Sequence, residues 1–322
     1  MEPRISIIIP CKEIDDYTKK CIKECLKLDY SNFEILILPD DVKKHVVKDE
    51  RIKIVTTGKL VPAEKRNLGM KLAEKNGSDF YAFIDSDAYP RRNWLKNGVE
   101  YFEDGKVGIV GGPNLTPEEG NFWEKVSGYV LGNFLVSGHA AQRYKEGGEN
   151  NYVMELPSCN YIVRKEAASE YDLRFLTAED TKFCFNCREK GFKILYAKDV
   201  VVTHHRRDSF RKHVKQMFVY GRDNLWLLKK DFSIDKFYFF VTMWGVLGFL
   251  AGIVFSFFYP LIRNLFLIVV LLYLLMFFFT SIHENFKTSI MVFITSVFTH
   301  FAHGFGSLYG LFSKQKRKFS ER

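Results

Sequence analysis

At Phe237 the chain changes character. Up to residue 236 it reads as a mixed, charged, soluble protein, and from Phe237 onward Phe, Leu, Ile and Val dominate. Two segments, about Phe237–Phe258 and about Leu261–Ile282, carry almost no charge. Each is about long enough to cross a bilayer core, which takes roughly 20 apolar residues. A helix of that length at the surface of a soluble core would show a polar face, and neither segment does. Arg263 is the one charge between or within them, at the turn Tyr259-Pro260-Leu261-Ile262-Arg263-Asn264. The expected organisation is a soluble domain over 1–230 followed by a helical membrane region over 231–322.

A third apolar stretch, about Thr288–Phe312, is more polar, with His300, His303, several Ser and Thr, and Gly304, Gly306 and Gly310. Gly306-x-x-x-Gly310 permits close helix packing, as does Gly248-x-x-x-Gly252 in the first span. Lys229, Lys230 and Lys236 precede the first span, and Lys314, Lys316, Arg317 and Lys318 form a basic tail. Both clusters favour the cytoplasmic side. An even number of crossings satisfies both. The expectation is a helical hairpin over about 237–282 with a third membrane or interfacial helix over about 288–312, and three full crossings are the alternative. The protein is then integral to the cytoplasmic membrane with its soluble domain facing the cytoplasm. Met1-Glu2-Pro3-Arg4 opens no basic, then apolar, leader of its own, so no signal peptide is expected. The formal charge of +9 suits an anionic membrane surface or a phosphate-rich substrate. No nucleic-acid-binding motif accompanies the charge, so nucleic acid is not an expected partner. Cys184-x-x-Cys187 and Cys21-x-x-x-Cys25 lie on expected helices without tight turns and read as buried thiols rather than a zinc site.

Within 1–230 the pattern is βαβ. Strands are expected over Arg4–Pro10, Phe33–Leu38, Arg51–Val55, Phe80–Ile84 and Val107–Val110, and helices over Asp15–Lys27, Ala63–Asn76 and Asn93–Phe102. This alternation argues for an α/β fold with a mostly parallel sheet. After residue 113 the rhythm breaks. Glu118–Gln142 reads as a helix over the sheet edge, Arg143–Glu155 as a loop able to act as a lid, and Leu156–Val163 as a strand. Thr177 is the expected N-cap of a helix over Thr181–Lys190, with Asp180 in the capping-box position. Strands over Lys193–Tyr196 and Val200–Thr203 precede an amphipathic helix over Ser209–Leu228.

Ligands of open α/β sheets bind at the carboxyl ends of the strands. The run Phe80–Ile84 ends in Asp85-Ser86-Asp87, and two carboxylates one residue apart at such an end offer hard oxygen ligands to a divalent cation that also grips phosphates. Taken alone the pair is equally a polar turn. It does not stand alone. Ser6-Ile7-Ile8-Ile9-Pro10, Glu34-Ile35-Leu36-Ile37-Leu38-Pro39-Asp40, Lys65-Arg66-Asn67, Asp85-Ser86-Asp87, Glu179-Asp180 and an apolar C-terminal region follow in one order. In these motifs the chain resembles the family 2 inverting glycosyltransferases of the GT-A (Rossmann-like) fold, over about residues 4–225.

The resemblance implies roles residue by residue. Pro10 and Glu13 would lie beside the donor nucleoside and Asp40 would contact its base. The family often carries two consecutive aspartates here, and this chain has Pro39 in the first place, with Asp41 as a further candidate. Arg66 and Asn67 match a donor-contacting pair. Asp85 would face the ribose or the metal shell, and Asp87 would ligate Mn²⁺ or Mg²⁺ on the diphosphate of a UDP- or GDP-linked sugar. Beside the resemblance, His204-His205-Arg206-Arg207 reads as an added metal ligand, His205 being the expected one while the spacing itself leaves His204 or His205 open. Asp180 would be the general base. Glu179, Asn160, Arg206, Arg207 and Arg222 are expected to serve the acceptor or a phosphate; a guanidinium fork suits phosphate oxygens, and a basic surface touching lipid headgroups is the alternative for the His204–Arg207 run. Gln216 and Tyr220-Gly221-Arg222 stand where processive relatives carry Gln-x-x-Arg-Trp, which this chain does not match. Polyprenyl-phosphate monosaccharide synthases usually follow the Asp-x-Asp with Leu-Gln-His-Pro, whereas Ala88-Tyr89-Pro90 stands here. The expected activity is metal-dependent transfer of a sugar to a membrane-embedded, lipid-linked glycan. A polyprenyl-phosphate sugar synthase and a catalytically silent scaffold are the alternatives.

Overall fold

The computed structural model describes residues 2–42, 48–231 and 240–315. In chain order the elements are β1 (Ile5–Pro10), α1 (Asp16–Cys25), β2 (Phe33–Leu38), β3 (Ile52–Ile54), α2 (Pro62–Lys75), β4 (Phe80–Ile84), β5 (Ala88–Pro90), α3 (Trp94–Glu100), β6 (Val107–Gly111), β7 (Asn114–Leu115), α4 (Phe122–Leu131), α5 (Phe134–Ser137), β8 (Asn151–Val153), β9 (Asn160–Arg164), α6 (Glu179–Glu189), β10 (Lys193–Tyr196), β11 (Val202–His204), α7 (Phe210–Lys230), α8 (Val241–Ser256), α9 (Pro260–Thr280) and α10 (Phe286–Phe312). They form two units: one within Met1–Pro117 and Gln142–His205, the other within Glu118–Ala141 and Arg206–Lys316.

The first unit is built on a sheet in the order β3-β2-β1-β4-β9-β6-β10-β8. Strands β3, β2, β1 and β4 run parallel, as do β6 and β10. The expected mostly parallel sheet is thus present, with two inversions: β9 is antiparallel to both β4 and β6, and β8 is antiparallel to β10. All residues of β1, β2 and β4 are buried because helices cover both faces, which is why these strands read as near-continuous apolar runs, interrupted by Ser6 and Glu34, whose buried side chains hydrogen-bond each other at 2.6 Å. Cys21, Ile22, Trp94 and Leu95 fill one face, and Met70, Ala73, Phe183 and Cys184 the other. All six cysteines are free and buried.

Three expectations are corrected here. Residues 118–142 are not one helix, since Gly132 ends α4 and Asn133 caps α5. Residues 143–155 are not a free lid: Asn151–Val153 adds strand β8, and the Arg143 guanidinium is tied to the Glu155 carbonyl. The helix holding Asp180 starts at Glu179 after Ala178, with no side-chain N-cap, so the Thr177 capping box does not form.

In the second unit α7 packs against α10 through glycines. A Cβ added to Gly221 would lie 2.0 Å from the His303 carbonyl oxygen, and one on Gly306 would lie 2.0 Å from that of Phe218. The close approach expected of Gly306-x-x-x-Gly310 is therefore made with α7. A buried chain of hydrogen bonds crosses the same helices, with Ser127 Oγ 2.8 Å from His213 Nδ1 and His213 Nε2 2.9 Å from Thr299 Oγ1. Burial, aided by Arg207, pushes the His213 imidazole down to about 4, so it stays neutral. Among the described residues, two helices are long and apolar enough to cross a membrane, α9 with 21 residues and α10 with 27. They are not the expected pair: α8 has 16 residues, and the segment expected to open it at 237–239 lies outside the described residues, as do Lys236 and the tail from Lys316. Pro260 occupies the first turn of α9, which places Arg263 inside the helix rather than in a turn. The side chains of α9 are largely exposed, including Leu265, Ile268, Leu272 and Phe279.

Gly221→Ala is expected to destabilise the protein by about 1–3 kcal/mol through overpacking, whereas Gly248→Ala, with open space at its Cβ, is expected to be near neutral. Thermal unfolding of the detergent-solubilised pair checks this.

Candidate active site

Strand β4 ends at Ile84, and the chain then turns through Asp85, Ser86 and Asp87 into β5. A second small sheet begins there, in the order β5-β11-β7, which the sequence reading did not foresee. Its register sets His204 opposite Ala88, next to Asp87. His204 Nε2 lies 3.2 Å from Asp87 Oδ1 and 4.0 Å from Asp85 Oδ2. One ligand atom from each of Asp85, Asp87 and His204 lies within 4.8 Å of the others. Burial disfavours the charge on His204, but the Cys159 sulfur and the Asp87 carboxylate outweigh it and pull the imidazole up to about 10. A divalent cation would replace that proton, and two carboxylates with one imidazole make a donor set suited to it. The ring facing the aspartates is His204 and not the expected His205. Neighbouring side chains alternate across a strand, so the His205 ring packs edge-on against Tyr17 at 4.6 Å, while its backbone N–H donates to the Asp87 carbonyl.

Arg66 links this group to Glu179. Its guanidinium is 4 % exposed and donates from Nη2 to Asp85 Oδ1 at 2.8 Å and from Nη1 to Glu179 Oε1 at 3.1 Å. Burial and the adjacent Asp180 push the Glu179 carboxyl up, against the pull of Arg66. Asp180, the next residue in α6, accepts from the Thr181 N–H at 2.8 Å and the Ser158 N–H at 3.4 Å. Burial, then Glu155, push it up to about 6, opposed by Arg66. Such a carboxylate is poised to take a proton near neutral pH. At the end of β2, Asp40 pairs with Lys65, a buried lysine on α2 that also donates to the Cys11 carbonyl at 2.5 Å. No role was drawn for Lys65 from the sequence. Its signal was available, since a lysine occupies a sheet-facing turn of α2 between Ala63 and Gly69.

Pro10 is buried at the end of β1, and Glu13 is exposed on the loop that follows. Two expected contact residues are spent on the fold. The Asn67 amide donates to the Tyr171 carbonyl and accepts from the Tyr171 N–H, so it pins that loop and does not face a ligand. Asn160, 0 % exposed, accepts from the Trp94 indole and donates to the Pro113 and Val200 carbonyls, each at 2.8 Å, so it has no capacity for an acceptor. Arg206, Arg207 and Arg222 belong to the second unit. There Arg222 Nε donates to Asp223 and its guanidinium lies over Trp226.

The family described as "Glycosyltransferase like family 2" matches residues 3–220, and the chain belongs to it. A curated relative from Methanococcus voltae, dolichyl N-acetyl-alpha-D-glucosaminyl phosphate 3-beta-D-2,3-diacetamido-2,3-dideoxy-beta-D-glucuronosyltransferase, is 31 % identical over 263 residues, covering 76 % of this chain and 78 % of the relative. Glycosyltransferase AglE of Haloferax volcanii is 23 % identical over 270 residues, covering 77 % and 82 %. Among solved structures, mannosyltransferase PcManGT from Pyrobaculum calidifontis, in complex with GDP-Man and Mn²⁺, has a TM-score of 0.60 at 12 % identity, covering 97 % of this chain and 88 % of that one. The chain is a family 2 glycosyltransferase, and its first unit has the GT-A fold.

Asn160→Ala would remove the acceptor of the Trp94 N–H and a donor to each of the Pro113 and Val200 carbonyls, leaving Pro113 with its bond from the Val202 N–H. We expect it to cost about 3 kcal/mol, read as a lower unfolding midpoint in chemical denaturation, with KM for the donor changed little in the protein that folds.

Proposed function

We propose that this enzyme is a membrane-anchored, metal-dependent inverting glycosyltransferase that moves a sugar from a UDP- or GDP-linked donor to a lipid-linked sugar. One observation carries the reading: Asp85, Asp87 and His204 converge in the same unit as Asp180, and the Arg66–Glu179 bridge joins the two groups. Asp85, Asp87 and His204 would hold Mn²⁺ or Mg²⁺, which when bound offsets the charge that develops on the departing nucleoside diphosphate. Pro10, Glu13 and Asp40 flank the nucleoside, with Lys65 fixing the Asp40 carboxylate. Asp180 accepts the proton of the acceptor hydroxyl, which attacks the anomeric carbon opposite the leaving group and inverts it.

A lipid-linked acceptor is supported by the name of the Methanococcus voltae relative, whose substrate is a sugar on dolichyl phosphate. The same name favours extension of a lipid-linked sugar over synthesis of a polyprenyl-phosphate monosaccharide. Membrane anchoring is supported by α9 and α10. Lys229 donates to the Gly310 carbonyl and Lys230 to Gln315, so the basic end of α7 and the C-terminal end of α10 lie together. Both then favour the cytoplasmic side.

The direct test is metal-dependent transfer of label from UDP- and GDP-sugars into the lipid extract of enzyme-containing membranes. Asp87→Ala is expected to lower transfer at least 100-fold, and transfer indifferent to this change would indicate a silent scaffold. Asp180 must be ionised to act, so kcat/KM is expected to hold above about pH 6 and to fall tenfold per unit below it. The stability sign is opposite. A carboxyl whose folded pKa is raised costs stability above that pKa, and the cost vanishes below its ordinary value near 4. Asp180→Asn should therefore abolish transfer yet raise the unfolding midpoint at pH 8, and a lower midpoint would remove the basis for a strained base.

A further inference from the structure

The two oxygens of Asp85 face different charges. Oδ2 is on the His204 side and Oδ1 receives the Arg66 guanidinium. We infer that Glu179 is a positioning residue for the divalent cation: by sharing Arg66 with Asp85, it draws off part of an internal positive charge that would otherwise oppose the cation. This rests on the proposed reading that Asp85, Asp87 and His204 hold that cation.

The geometry makes Arg66 a divided partner. It is 4 % exposed and permanently charged, so its field is weakly screened. It gives one hydrogen bond to each carboxylate and not a fork to either. Arg66 Nε and Glu179 Oε2 are both buried without a hydrogen-bond partner. A paired fork to Glu179 would satisfy both atoms, but Nη2 is committed to Asp85. Glu179 is fixed as the first residue of α6, so its share of the guanidinium is set by the helix and not by a mobile side chain. Taking away its negative charge leaves the Arg66 charge on Asp85 alone. That carboxylate then attracts a second cation less.

The signs are testable with Mn²⁺ as the probe, by anaerobic electron paramagnetic resonance titration of the detergent-solubilised full chain above about pH 8, where Glu179 carries its charge despite the rise. Glu179→Gln keeps the volume and an acceptor for Nη1, and is expected to raise the Mn²⁺ Kd about 5–20-fold, with most of kcat recovered at saturating Mn²⁺. Arg66→Gln removes the opposing charge and is expected to lower the Mn²⁺ Kd even though transfer falls. A purely structural role would weaken Mn²⁺ binding in both variants. Because Arg66→Gln strands two carboxylates, the double variant Arg66→Gln/Glu179→Gln is the safeguard, expected to bind Mn²⁺ at least as tightly as the native protein. Native binding that Asp87→Ala abolishes, with Glu179→Gln unchanged or tighter, would overturn the inference and leave the cation site standing. Absence of Mn²⁺ binding sensitive to Asp87→Ala would overturn both.

Discussion

Four carboxylates meet at one end of the central sheet, and the buried Arg66 guanidinium makes them compatible. Asp85 and Asp87 leave β4, while Glu179 and Asp180 open α6. Like charges so placed raise one another's pKa. Arg66, reaching from α2, gives a charge-assisted hydrogen bond to Asp85 and another to Glu179, and limits the rise at Asp180. Other features serve the same guanidinium. Tyr171 lies under it at 5.5 Å, and Asn67, the next residue on α2, fixes the Tyr171 backbone through two hydrogen bonds. Asn67 thus supports the Arg66 guanidinium through the loop it pins.

A second constraint is the small sheet. The chain could leave β4 as a simple turn, and the two aspartates would then be an ordinary polar corner. Pairing of β5 with β11 prevents this by bringing residues 88–90 and 202–204 into register, more than a hundred positions apart in sequence. The polar partner of Asp87 is therefore supplied by long-range backbone hydrogen bonding, and strand alternation decides which of two adjacent histidines it is. The same alternation turns His205 into a packing residue between aromatic rings.

This explains what was legible in the sequence. Strands β2, β4 and β10 were read at their observed ends because buried parallel strands are largely apolar runs bounded by turn residues, even with Glu34 inside β2 and Lys193 at the start of β10. Asp40, Asp85, Asp87 and Asp180 were marked by their positions at element ends, which local pattern records. Elements of two or three residues such as β5, β7 and β8 carry no periodicity to read, and their strands exist only through partners distant in the chain. Nothing local to Asn160 signals its buried role, which only the Trp94, Pro113 and Val200 contacts reveal.

The apolar region poses the reverse problem, because composition there is informative but the packing is not. Glycine, serine and threonine make α10 look a poor membrane segment beside α9. In a lipid environment small residues are where helices approach, since bulk apolarity supplies no preference for protein over lipid. The buried positions of α10, among them Thr295, Ser296, Thr299, Gly306 and Ser307, form the face that meets its neighbours. Glycines on α7 and α10 answer each other's carbonyls at Gly221 and Gly306, a complementarity that a single helix cannot display. The polar character of α10 is therefore the mark of a packed helix, whereas α9, apolar beyond Arg263, Asn264 and Thr280, keeps its side chains largely exposed.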